Sequence, residues 1–185
     1  MKKRYILAIW IAALALSFLI DKQFLNFIIS LRNPIFDGFM KWVSYVGSTL
    51  IVLLIITSLF LWEERKKEWI PILFASALVS LVISELLKYT FMRPRPDVIQ
   101  LVKESNPGLP SNHVTVAFST VPILDKEFPK LAWFWILFAV LVALSRIYLG
   151  VHYLSDVVAG GLIGYSISTL TIYAEKRYGI FKFIR

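Results

Sequence analysis

Residues 69–87 carry one charged side chain, Glu85, in an otherwise apolar run. A helix needs about 20 mostly apolar residues to cross a bilayer. Apolar runs of the same character occupy 5–20, 43–62, 131–150 and 154–173, and a shorter one fills 111–124. Hydrophobic residues make up 58% of the chain and charged residues 17%, against roughly 45–50% and 25% in soluble domains. A soluble fold of this size cannot hide that much apolar surface, because about a third of its surface stays in water. Composition therefore excludes a soluble globular protein, a disordered chain, a collagen-like chain and a coiled coil. The expectation is an all-α integral membrane bundle of six transmembrane helices, forming a single domain over 1–185.

The first run follows a basic start, Lys2, Lys3 and Arg4. Ala13-Leu14-Ala15 resembles a signal-peptide cleavage site, but the run is long for a signal core and no polar start follows, so an uncleaved span is expected. Segment 21–42 is mixed. Phe24, Phe27, Ile28 and Leu31 share one helical face, which predicts an interfacial amphipathic helix after the first span, broken at Asn33-Pro34. Six spans place both termini on one side. Twelve of the twenty lysines and arginines fall in the loops and termini of that side. The positive-inside rule makes it cytoplasmic, in the plasma membrane, and turns the long loop 88–110 outward. The net charge of +8 belongs to those loops and to anionic lipid headgroups, with no nucleic-acid partner expected. The chain has no cysteine, which removes disulfides, thiolate metal ligands and a cysteine nucleophile.

Three polar clusters fall at the outer ends of the spans. The first holds Lys88, Arg93-Pro94 and Arg95-Pro96; the second is Pro110-Ser111-Asn112-His113; the third runs from Ser145-Arg146 through His152 to Asp156. Ionisable groups beside membrane spans are costly, so their collection marks a functional site. Lys88, Arg95 and Arg146 supply three positive charges, and guanidinium groups suit oxyanions. Ser111, Asn112 and His113 open a helix, whose free N–H groups favour anions. His152 and Asp156 are four apart and share a helix face. A carboxylate there can fix the imidazole tautomer and leave its other nitrogen free to attack, with His113 available as a general acid. Two histidines and an aspartate could also hold a metal, but the three cations around them repel a divalent ion. No metal and no cofactor are expected.

These residues resemble the tripartite signature of the type 2 phosphatidic acid phosphatase superfamily, KxxxxxxRP, PSGH and SRxxxxxHxxxD. Here it reads Lys88 to Arg95-Pro96, Pro110-Ser111-Asn112-His113, and Ser145-Arg146 to His152 and Asp156. The resemblance implies that His152 is a nucleophile forming a phosphohistidine, supported by Asp156, and that His113 protonates the leaving oxygen. It also implies that Lys88, Arg95, Ser111, Arg146 and the backbone at Asn112 hold the phosphoryl oxygens. The reaction would be metal-independent hydrolysis of a phosphate or diphosphate headgroup. Asn112 stands where the family has Gly; Asn tolerates left-handed backbone better than most residues, and its side chain could add a donor or narrow the pocket.

The fourth span is short, about 21 Å at 1.5 Å per residue, against about 30 Å of hydrocarbon. That sets His113 near the outer interface, where a lipid headgroup lies. The expected substrate is a membrane lipid phosphate, with undecaprenyl-type polyprenyl diphosphate favoured over phosphatidylglycerol phosphate and phosphatidic acid. A lipid phosphotransferase would use the same residues, and a non-enzymatic membrane protein would not need them. Two further features are open at this point. Glu85 can pair with Lys88 or snorkel to the interface. Gly160 and Gly164 form a GxxxG stripe suited to close helix packing within one chain or to dimerisation; oligomeric state is otherwise unreadable.

Overall fold

The computed structural model describes the backbone of residues 2–48 and 50–181, and among these the side chains of 9–45, 55 and 57–181. Among these residues seven α-helices follow in order: α1 (Lys2–Ser30), α2 (Pro34–Ser48), α3 (Leu50–Glu63), α4 (Ile70–Phe91), α5 (Asn112–Glu127), α6 (Ala132–Tyr148) and α7 (Leu154–Tyr178). Short 3-10 turns at Lys67–Trp69 and Pro129–Leu131 lead into α4 and α6. No strand occurs among the described residues. Among the described residues, four helical stretches are long and apolar enough to cross a membrane: Ile9–Ser30, Lys67–Phe91, Pro129–Tyr148 and Leu154–Tyr178. Only 17% to 39% of the most apolar window of each is buried inside the protein. Leu78, Leu86, Trp133 and Leu170 are among the exposed apolar side chains, as a lipid-solvated bundle requires. The chain is an integral membrane protein.

Two expectations about elements need adjustment. The separate interfacial helix expected between the first span and the Asn33-Pro34 break does not form: 21–30 continue α1, and α2 begins at Pro34. Polarity at Asp21-Lys22-Gln23 suggests a boundary, but no Gly or Pro occurs before Asn33-Pro34 to break the helix. The break falls at Asn33-Pro34, as the sequence predicts: Asn33 Oδ1 accepts the Phe36 N–H at 3.0 Å, capping α2 with Pro34 in its first turn. The run 43–62 is divided between the end of α2 and α3, with residue 49 outside the described residues. The run 111–124 lies in α5, which extends to Glu127 and has every residue from Val114 to Leu124 except Phe118 buried. Rather than facing lipid, α5 is the axis of the bundle, packed on α7, α4 and α6.

Small residues set that packing. A Cβ at Gly164 would lie 1.9 Å from the Thr115 carbonyl oxygen, and one at Gly160 would lie 2.8 Å from that of Ser111. The GxxxG stripe is thus the seat of α5 on α7 within one chain. On the end of the bundle that holds the three signature clusters, Arg32 ties the α1–α2 turn to the end of α6. Its Nε and Nη2 donate to the Tyr148 carbonyl at 2.9 and 2.7 Å, and Nη1 to that of Ile99 at 2.9 Å. Gly150 turns the chain beneath it at φ +76, where a Cβ would meet Arg32 Nη2 at 2.7 Å, so that position favours glycine twice over.

Candidate active site

Helix ends deliver the site. α4 closes at Met92, a left-handed cap (φ 47) whose N–H bonds the Lys88 carbonyl, and Arg93-Pro94-Arg95-Pro96 then runs extended, as residues before proline do. The loop 92–111 returns to the start of α5, where Ser111 N–H donates to the Asp156 carbonyl at 3.1 Å. The end of α6 brings Arg146, and the turn into α7 brings His152 and Asp156. All eight residues expected from the sequence therefore lie at one end of the bundle.

Lys88, Arg146, His152 and Asp156 are almost wholly buried, at 1%, 2%, 1% and 0% exposure. Arg95 Nη1 lies 3.2 Å from His152 Nε2. On the other side of the ring, His152 Nδ1 lies 3.4 Å from Asp156 Oδ2. Arg95 is held from three sides: Nε donates to the Asn106 carbonyl at 2.7 Å, Nη1 to that of Val151 at 2.6 Å, and Nη2 to Asn106 Oδ1 at 2.5 Å. Lys88 Nζ donates to the Pro107 carbonyl at 2.7 Å. His113, Arg146 and Glu104 line one cavity of about 430 Å³ together with Ser44 and Trp42. His113 stands within electrostatic reach of Arg146, His152, Lys88 and Arg95.

Burial holds the His152 imidazole well below the usual histidine range, and Arg146, Arg95 and Lys88 push it further the same way. Its ring is neutral at neutral pH. Ser111 Oγ, Arg146 Nε and His152 Nδ1 are buried side-chain atoms without a hydrogen-bond partner. Unsatisfied buried polar atoms are few in native proteins, and here three fall within the signature clusters.

Asn112 behaves differently from the other seven. Its side chain turns away from the cations onto α4: Ser84 Oγ donates to its Oδ1 at 2.6 Å, and its Nδ2 donates to Glu85. It adds no side-chain donor among the site cations, and its backbone N–H remains at the start of α5. Glu85 takes that amide, and no ion pair joins it to Lys88.

Three residues escaped the sequence reading. Glu104 bridges two arginines, with Oε1 2.5 Å from Arg146 Nη2 and Oε2 3.2 Å from Arg95 Nη2. Arg93 was visible in its cluster but without a task; it pairs with Asp156 Oδ1 at 2.6 Å and with Asp21 Oδ2 at 2.7 Å. Asp21, on α1, is buried at 5% exposure. A lone carboxylate between apolar runs is a signal for Asp21. Nothing in the loop sequence singles out Glu104.

A site of clustered cations around an imidazole–carboxylate pair is suited to binding an oxyanion and transferring its phosphoryl group. Comparison with known proteins agrees. The family model of the PAP2 superfamily matches residues 68–179. The chain is 31% identical over 149 residues to an undecaprenyl-diphosphatase of Sulfolobus acidocaldarius, covering 76% of this chain and 71% of that one. It is 27% identical over 168 residues to a lipid A 4'-phosphatase of Porphyromonas gingivalis, covering 80% and 71%. Among solved structures, a transmembrane PAP2-type phosphatidylglycerolphosphate phosphatase from Bacillus subtilis superposes with a TM-score of 0.77 at 25% identity, covering 93% of this chain and 96% of that one. Signature, fold and family match agree, and the chain belongs to the PAP2 superfamily as an integral membrane enzyme of that phosphatase family.

Proposed function

We propose that this single-domain enzyme hydrolyses the phosphate or diphosphate headgroup of a membrane lipid through a phosphohistidine at His152, without a metal. The observation that carries the reading is the setting of the His152 ring, with Arg95 against Nε2 and Asp156 against Nδ1. With Nδ1 protonated toward the carboxylate, the Nε2 lone pair points to the cationic cradle. Phosphate entering that cradle is held by Lys88, Arg95, Arg146, Ser111 and the backbone N–H at Asn112. Nε2 attacks the terminal phosphorus, a P–N bond forms and the bond from that phosphorus to the leaving oxygen breaks, the lipid alcohol leaving from a monophosphate and the lipid monophosphate from a diphosphate. His113 gives its proton to the leaving oxygen. The anionic headgroup offsets the surrounding positive charge and favours the protonated form of His113 before that step. Water then attacks the phosphohistidine, His113 takes the water's proton, and inorganic phosphate leaves.

The reading includes six membrane crossings, with α2 and α3 together supplying the second and α5 the fourth. Both termini are cytoplasmic and the site faces outward. Polyprenyl diphosphate of the undecaprenyl type is the favoured substrate. The similarity to an undecaprenyl-diphosphatase and an outward site, where carrier lipid diphosphates are released, support it. The fold similarity to a phosphatidylglycerolphosphate phosphatase makes that lipid the second candidate. Phosphate release by the purified protein is measured on undecaprenyl diphosphate, phosphatidylglycerol phosphate and phosphatidic acid, with and without chelator. The diphosphate is expected to turn over fastest and chelator to change nothing. Activity lost to chelator and restored by one divalent ion overturns the mechanism. Rapid quench with labelled phosphate separates the histidines. His152→Ala accumulates no acid-labile label, and His113→Ala slows labelling more for alkyl phosphates than for diphosphates, whose leaving groups need a proton less. Label on the His152→Ala protein removes its assignment as nucleophile.

A further inference from the structure

Behind the His152–Asp156 pair lies a second layer of charge that reaches α1. Asp156 Oδ1 accepts from Arg93 Nη1 at 2.6 Å. Its Oδ2 accepts from the Tyr153 N–H at 2.9 Å and faces His152 Nδ1 at 3.4 Å. Arg93 Nη2 in turn donates to Asp21 Oδ2 at 2.7 Å. Asp21 also accepts from the Ser155 N–H at 2.8 Å and the Ser155 hydroxyl at 2.5 Å. The Phe18 and Tyr153 rings flank the guanidinium, with centroids 5.0 and 4.7 Å from it.

We propose that Asp21 is a positioning residue for the reaction: by engaging one nitrogen of Arg93 it confines that arginine to a single oxygen of Asp156 and leaves the other oxygen for His152. The inference rests on the roles of His152 and Asp156 proposed above. A guanidinium beside a carboxylate prefers the two-pronged fork. Arg93 has two Nη groups within one residue's reach of Asp156, and only Asp21 occupies the second. Remove that charge, and the fork can close on both oxygens of Asp156. Oδ2 is then drawn away from Nδ1, 3.4 Å off, and can no longer close on the imidazole to fix its tautomer. The loss falls on the chemical step. Phosphate binding is spared, because Lys88, Arg95 and Arg146 make no contact with Asp21. A carboxylate that only fastened α1 to the bundle would affect stability and leave the chemistry of Asp156 alone.

A double-mutant cycle separates the two, using the fastest substrate of the lipid panel. Asp21→Asn is expected to lower kcat about tenfold, in the range that coupled neighbours show, with inhibition by vanadate unchanged within about twofold. In an Asp156→Asn background the same substitution should change kcat by less than about twofold, because the oxygen it protects is already lost. Equal loss in both backgrounds, an unchanged kcat, or vanadate binding that weakens in step with kcat each overturn the inference. Should Asp21→Asn fail to accumulate in membranes, Asp21→Ser carries the same test in the same two backgrounds, since it also removes the charge that engages Arg93 Nη2. If Asp156→Asn alone leaves kcat intact, the proposed role of Asp156 fails first and takes this inference with it.

Discussion

At the scale of single residues, charge is in competition around the phosphate cradle. Glu104 sits between Arg146 and Arg95, two of the residues proposed to hold the phosphoryl oxygens. A carboxylate and a phosphate oxygen are alternative partners for one guanidinium fork. Glu104→Gln removes the internal competitor while keeping its shape, so inorganic phosphate and vanadate should inhibit about fivefold more strongly, the equivalent of about 1 kcal/mol. Weaker inhibition would make Glu104 a support of the arginines instead of their rival. His152 gives a pH test. Its folded-state pKa is depressed well below the ordinary value, so below about pH 6.5 the unfolded chain binds a proton that the folded one refuses. Stability should therefore fall as pH falls, by about 1 kcal/mol between pH 6.5 and 5.5 relative to His152→Gln, measured by thermal unfolding in detergent; no difference removes the buried neutral histidine. The eight signature residues were legible because their chemistry is dense and their spacing fixed. Glu104 and Asp21 were not, because a carboxylate's meaning here depends on which arginine the fold sets beside it: Glu104 meets Arg146 from 42 positions away as well as Arg95 from nine, and Asp21 meets Arg93 from 72.

At the scale of elements, glycine positions are the sharpest readout of packing. Gly164 and Gly161 are neighbours in α7 with different surroundings. A Cβ at Gly164 collides with the Thr115 backbone, whereas one at Gly161 meets the Phe118 ring at 3.5 Å, an ordinary contact. Gly164→Ala must push α5 from α7, and overpacking of this kind costs about 1–3 kcal/mol or more. Gly161→Ala should be tolerated. Thermal unfolding of the two variants compares them directly, and equal Tm values would mean the helices do not approach so closely. Because α5 carries Ser111, Asn112 and His113, Gly164→Ala should also lower activity. The apolar runs located the four long spans but not the division of 43–62 between α2 and α3, and the close-packing stripe was readable from GxxxG. The boundary within α1 was misplaced because a polar patch was taken for a helix end, when Asp21 is satisfied by partners from α7 and the loop after α4. The central place of α5 was hidden for a related reason: a short apolar run reads alike whether lipid or protein covers it.

At the scale of the whole molecule, one end of the bundle gathers the chemistry, and the loops of the other carry cations of their own. Arg32, Lys88, Arg93, Arg95 and Arg146 are all engaged by carboxylates or carbonyls at the site end. The opposite end presents Arg65 and Lys67 in the α3–α4 connection, both exposed. The positive-inside bias acts on loop charges. Those five cations have structural partners that explain them, whereas Lys22, Lys41 and Lys103 at the same end are exposed as Arg65 and Lys67 are, so the bias rests on the totals of the loops. On this reading the site faces outward, and topology is testable because the chain has no cysteine of its own. Lys103, exposed in the loop 92–111, is replaced by cysteine in one variant and Lys67 in another. In intact cells an impermeant thiol reagent should label Lys103→Cys at once, and Lys67→Cys only after the membrane is opened. Both variants should keep phosphatase activity, since neither side chain touches the site. The reverse labelling would turn the cradle toward the cytoplasm. It would leave the phosphatase chemistry standing but remove carrier lipid diphosphates released outside as its substrate, and favour a phospholipid phosphate made on the inner leaflet.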